Sequence, residues 1–187
     1  LRLRDSSGVI ELYDLKSDVE VEDTSGTLRV ERVAGAVRVR KESGDINLLD
    51  VAGPTRIHSR SGQMRLEKLG ALEIESSDGN LYITGAETAH IRNQGGNLRV
   101  YGVRTELQIE DDSGEIDVRD VGGAVSIRDT SGQIRTLRTG NVTVRDTSGD
   151  LRIAEAPAVS VLEKGSGEVI VDGVSGNVQV PPNVKLK

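Results

Sequence analysis

The sequence predicts an all-β chain, a single-stranded parallel β-solenoid (β-helix) of about ten coils of 17–18 residues. Three observations carry that prediction. A Ser-Gly pair returns at Gly8, Gly26, Gly44, Gly62, Gly114, Gly132, Gly149 and Gly167, with relics at Gly79 and Gly96. A fixed period of this length marks a repeat whose units cannot bury their apolar side alone and lean on their neighbours. Aliphatic residues stand at fixed distances from each glycine and alternate with polar ones, as in strands with one buried face. Val, Ile and Thr are plentiful, no 3.6-residue period appears, and glycines break every run before a helix reaches useful length.

Taken in order, Leu1-Arg2-Leu3 reads as the second strand of a preceding coil. In the coil from Gly26, Leu28, Val30, Val33, Val37 and Val39 fall two, four, seven, eleven and thirteen places on. The coil from Gly44 repeats this with Ile46, Leu48, Val51 and Ile57, Thr55 replacing one aliphatic. Ile116, Val118, Val121, Val125 and Ile127 follow Gly114, and Val169, Val171, Val174, Val178 and Val180 follow Gly167. Each coil therefore holds two strands nine residues apart. A second glycine often opens the later one, as at Gly35, Gly53, Gly123, Gly140 and Gly176, where backbones must approach or φ must turn positive. A hexapeptide helix is excluded, because steps of six from Leu28 reach Ala34 and Arg40. The pattern leaves open whether the cross-section is a flattened two-sheet shape or carries a short third face around Val33, Val51 and Val121.

Parallel strands about 4.8 Å apart make ten coils a rod roughly 45–50 Å long. Ladders of Leu, Ile and Val can fill a narrow interior without Phe or Trp, and Tyr13, Tyr82 and Tyr101 fall on the outward parity. Residues 1–187 read as one repeat domain, with the non-repeat tail 181–187 as a C-terminal cap: its two prolines and two lysines suit the blocking of a strand edge. Coils from Gly62 and Gly79 are a residue short, and the stretch from Ala154 to Gly165 loses a residue before Pro157 and regains one near Lys164.

The net charge of −6, from 24 basic and 30 acidic residues, is that of an ordinary mixed surface. Arg29, Arg65, Arg99, Arg135 and Arg152 share one outward column, but Glu11, Asn47, Tyr82, Asp117 and Ile170 interleave. No basic face with stacking aromatics marks nucleic acid. No cysteine allows a disulfide or a thiolate metal site, and no apolar run is long enough to span a membrane. The opening within a strand and without Met leads us to expect that upstream sequence, such as a signal peptide, has been removed.

Catalysis finds no support. His58 and His90 lie in different coils without a partner at metal-ligand spacing and read as solvated surface histidines. The serines belong to the Ser-Gly corner, and no nucleophile elbow is present. Asp5, Asp23, Asp111, Asp129 and Asp146 stand three residues before their coil glycines, so Asp-x-Ser-Gly would stack carboxylates into a column. Asx-turn capping is favoured over calcium, since Asp bonds the backbone two residues on and the calcium-binding nonapeptide signature is missing. No catalytic residue, cofactor or metal ligand is therefore assigned. The candidate binding face is the outward column of the second strands, which runs from charged residues in the first half to Gln108, Ser126, Thr143, Ser160 and Gln179. Five uncharged hydrogen-bonding side chains on a flat sheet suit docking of a glycan or another protein.

The repeated phrase Asp-Thr-Ser-Gly-x-Leu/Ile-Arg, followed by Val-x-Gly-x-Val-x-Val, resembles bacterial β-strand-repeat proteins catalogued as adhesins and otherwise as a domain of unknown function. The likeness covers nearly all of the chain, as in Ser25 to Val39, Ser113 to Ile127 and Ser131 to Val144. It implies a bacterial, exported or membrane-attached protein, hence an extracytoplasmic place at the periplasm or cell surface, and supplies no catalytic residue. A second likeness, to the bactofilin solenoids, implies a self-assembling scaffold or filament subunit. The sequence thus leads us to expect a non-catalytic envelope binding or adhesion module whose partner is a protein or glycan at the cell surface. The alternative is end-to-end self-association, through the open edge of the N-terminal coil.

Overall fold

The computed structural model describes residues 1–185, and in it every regular element is a strand. Among the described residues there is no helix, and all pairings between strands are parallel. The first coils alternate between two ladders. The strands β1 (Arg2–Asp5), β3 (Val19–Asp23) and β5 (Val37–Lys41) form one; β2 (Val9–Leu15), β4 (Thr27–Val33) and β6 (Asp45–Val51) form the other. Both run into β7 (Thr55–Asn93), which passes without interruption through corners that keep pairing distance from the coil beneath. The stack continues through β8 (Leu98–Val121), β9 (Ala124–Thr139), β10 (Val142–Ala154) and β11 (Val159–Ser166) to the short β12 (Val169–Asp172) and β13 (Val178–Gln179).

Registers of 17 and 18 residues place like on like. Leu28, Ile46 and Met64 pair in succession, as do Ile116, Ile134, Leu151 and Val169. These side chains are sealed from solvent within one continuous apolar cluster. At about 25 cal/mol per Å² of apolar surface removed from water, such a ladder stabilises each coil only when the next one covers it.

The corner glycines are required twice over. Gly132 has φ +146°, and a Cβ there would stand 1.9 Å from the carbonyl oxygen of Gly114 in the coil below. The serine of each such corner stitches coils together: Ser131 Oγ donates to the Asp112 carbonyl at 3.1 Å, and Ser148 Oγ to that of Thr130 at 3.2 Å.

A second corner escaped the sequence reading. Six residues after the coil glycines, Asp14, Arg32, Asp50, Lys68, Asp120, Arg138 and Glu155 all have φ between 52° and 58°, and Gly85, Gly102 and Gly173 fill the same slot. A left-handed non-glycine costs about 1 kcal/mol, and stacking repeats that bend coil after coil. The bend gives the coil a short third side, on which Val33, Val51, Leu69 and Val121 are buried. Opposite charges follow one another in part of this column: the Arg32 guanidinium forks onto Asp14 at 2.5 and 3.0 Å, and Arg138 onto Asp120 at 2.6 and 3.2 Å.

The irregular stretch near the end resolves into a bulge. Pairing shifts between Val144 and Arg145, so Leu162 is pushed outward and Lys164 returns to register with Asp146. Beyond β13, Val184 packs against the core and Asn183 Nδ2 donates to the Lys164 carbonyl at 2.9 Å. Lys187, one of the two lysines of the expected cap, lies outside the described residues.

Candidate functional site

Because the second strands pair rung on rung, the five residues singled out in the sequence become neighbours. Gln108 faces Ser126, Ser126 faces Thr143, Thr143 faces Ser160 and Ser160 faces Gln179. All are exposed or half-buried, and Gln108 Nε2 donates to Glu106 Oε1 at 2.7 Å. The strand period of two places a second outward column two residues further along, and this one is charged to the end: Glu110, Arg128, Arg145 and Glu163. The face is therefore not uncharged in its second half, as the first column alone suggested.

Charge on this face is unevenly matched. Near its start, Arg4 holds Glu22 at 2.7 Å and Arg2 reaches Glu20 and Glu22. Further along, Glu73 takes Arg56 at 2.7 Å, Glu75 takes His58 at 3.3 Å, and Arg92 lies between Glu75 and Glu110. Arg38 and Arg40 stand between these groups with no ion pair or side-chain hydrogen bond among the described residues, and so do Arg128 and Arg145. A groove of about 680 Å³ lies over Arg38, Arg40, Arg56 and His58, with Glu73 and Glu75 also in its wall.

Behind this face, the Asp-x-Ser-Gly aspartates point inward rather than to solvent. From the second coil onward the slot three residues before the coil glycine is buried and reads Asp23, Lys41, Ser59, Ser76, Asn93, Asp111, Asp129, Asp146 and Lys164. The expected capping is present at Asp23 and Asp146, which accept the amides of Ser25 at 3.2 Å and Ser148 at 2.9 Å. Two lysines of the chain itself supply the counter-charge. Lys41 pairs with Asp23, and Lys164 with Asp146 at 2.9 Å, in each case with both side chains buried. Their signal was in the sequence, since both occupy the aspartate slot of their coils.

Between these pairs the column is short of cations. Asp111 accepts from Asn93 Nδ2 at 2.9 Å, while its other oxygen has no partner, and neither oxygen of Asp129 makes a well-formed hydrogen bond. Burial pushes the Asp111 carboxyl up to about 7, with the Asn93 amide offsetting part of this and the Asp129 charge adding to it. Burial and the Asp146 charge push Asp129 up to about 6, against the pull of the nearby Ser131 and Thr130 amides. Among the described residues no group of three or more His, Asp or Glu side chains is arranged to hold a metal ion.

The opposite face carries the aromatics. Arg99 lies over the Tyr82 ring and Arg119 over Tyr101, 5.3 and 5.5 Å from the ring centroids, and Tyr101 donates to the nearly buried Asp117 at 3.2 Å. The tyrosines point outward as their parity demands. The histidines divide: His58 is exposed, as expected, whereas His90 is half-buried with an unpartnered, covered Nε2, which corrects its reading as a solvated side chain. The His58–Glu75 contact was not foreseen because the two residues are a whole coil apart in sequence.

Ten stacked two-stranded coils with a short third side define a parallel β-solenoid with trimmed corners. The chain matches the Toastrack DUF4097 family over residues 13–181 and belongs to that family, a domain of unknown function. No curated protein and no solved structure matches it. No helix among the described residues is long and apolar enough to cross a membrane.

Proposed function

We propose that the chain is a non-catalytic binding module of the bacterial cell envelope, which offers the second-strand face of its solenoid to a partner outside the cytoplasm. The observation that carries this reading is the unbroken ladder Gln108, Ser126, Thr143, Ser160 and Gln179, five successive rungs of hydrogen-bonding side chains on a flat sheet that no loop covers. A parallel sheet holds such groups at fixed spacing before any ligand arrives, which lowers the ordering cost of binding. The envelope setting rests on the likeness of the repeat to exported bacterial proteins.

The test is attachment of the labelled 187-residue chain to isolated bacterial envelopes. Substituting Ser126 and Thr143 by Glu should reduce attachment at least about tenfold, roughly 1.4 kcal/mol, while Asn80→Ala on the opposite face leaves it unchanged. Attachment that both variants retain in full, or that neither the parent nor the variants show, would remove this reading.

A further inference from the structure

Two pairs of arginines on the second-strand face form no ion pair among the described residues, and their placement identifies a ligand. Arg38 and Arg40 are outward residues of one strand, about 6.8 Å apart along it, and the next rung brings Arg56 opposite Arg38 and His58 opposite Arg40. Arg128 and Arg145 face one another on adjacent rungs of the same sheet. Like charges directly opposite in a sheet repel; Glu20, Glu22, Glu110 and Glu163 face Arg38, Arg40, Arg128 and Arg145 across the adjacent rungs, but among the described residues none of them forms an ion pair with these arginines. Glu20 and Glu22 are held by Arg2 and Arg4, Glu73 by Arg56, and Glu75 and Glu110 by Arg92. On this face the arginines outnumber the glutamates, although the molecule carries a net charge of −6.

From the Arg38 rung to that of Arg128 is five coil steps, about 24 Å along the axis. That span exceeds any single small anion, so the occupant that satisfies both pairs is a chain lying along the solenoid. Between and beside the pairs stand Gln108, Ser126 and Thr143, side chains that donate to and accept from hydroxyl groups. The tyrosines, which would stack on nucleobases, are all on the other face. We infer that this face binds a linear acidic polysaccharide, its carboxylates held by the Arg38–Arg40 and Arg128–Arg145 pairs and its hydroxyls by the column from Gln108 to Thr143. This rests on the docking reading above and adds to it the ligand's class and the residues that select it.

Polygalacturonate serves as the probe, with dextran as a neutral glycan, monomeric galacturonate as a single unit and a single-stranded oligonucleotide as a different polyanion. The parent chain should bind polygalacturonate, and raising NaCl from about 50 to about 300 mM should weaken binding severalfold. Replacing Arg38 and Arg40 by Gln, or Arg128 and Arg145 by Gln, should each weaken it about tenfold, because charge-assisted bonds to carboxylate are lost. The pair Arg65→Gln and Arg152→Gln on the opposite face should leave it unchanged. The monomer should bind far more weakly than the polymer, since two pairs act together only on a chain. Equal binding of dextran, equal or tighter binding of the oligonucleotide, insensitivity to salt, or equal loss in the opposite-face variant would each overturn the assignment. Envelope attachment that depends on Ser126 and Thr143 without polygalacturonate binding would overturn the acidic ligand alone and leave the docking face standing.

Discussion

At the corner of each coil a single methyl group sets the limit on stacking. The Cβ of an alanine at position 132 would meet the Gly114 carbonyl oxygen at 1.9 Å, and its φ would be +146°. Backbone cannot yield there without parting two coils, so Gly132→Ala should destabilise by about 3 kcal/mol or more. The left-handed corner is more permissive. Gly85 has φ +77° and its nearest would-be neighbour at 3.7 Å, in a slot that other coils fill with Asp, Lys or Arg. Gly85→Asn should stay within about 1 kcal/mol of the parent. Paired thermal melts of the two variants check this, and similar losses at both sites would contradict the distinction between the two corners.

Among the elements, the buried column makes stability depend on pH in an unusual direction. Asp111 and Asp129 titrate at about 7 and about 6 in the folded chain, well above an exposed aspartate at about 3.9. Between those limits the folded state holds protons that the unfolded state has released. Their contribution is complete below the unfolded value and is lost as the pH rises through the folded ones. Stability should therefore fall from about pH 4 to about pH 7 and level off above it. Asp129→Asn, which removes the charge and keeps the shape, should flatten that slope and raise the unfolding free energy at pH 8 by an amount on the order of 1–2 kcal/mol. Denaturant melts across this range provide the measurement. An Asp129→Asn variant less stable than the parent at pH 8 would show that the column is satisfied as an anion.

For the whole molecule, backbone hydrogen bonds run between coils, so each coil is held by the two beside it and opens most easily where one is missing. Native-state hydrogen exchange should give the slowest amides in the middle, at Ile83, Val100 and Ile109, and faster exchange toward Leu3 and Val178. Uniform protection along the axis would instead mark all-or-none unfolding. The same geometry gives the proposed docking face its length: rungs fixed about 4.8 Å apart present one row of side chains to an extended partner.

Period, parity and glycine placement are properties of local sequence, and they sufficed for the solenoid class, the two strands per coil, the aliphatic ladders and the outward tyrosines. Each follows from steric and solvation rules that act within a few residues. The row Gln108, Ser126, Thr143, Ser160 and Gln179 was legible for the same reason, since parity alone fixes which side chains face out. What only the tertiary structure decided are relations across a coil. Asp, Arg and Lys do not announce a left-handed conformation in their composition, so the corner at Asp14, Arg32 and Lys68 emerged only from stacked backbones. Whether Asp129 meets Lys164, Asn93 or another aspartate depends on which residue the neighbouring coil brings to the same buried slot. Likewise, Arg38 and Arg128 are unpaired because side chains on adjacent rungs have already taken the glutamates within reach, a competition settled in space between residues a coil or more apart in the chain.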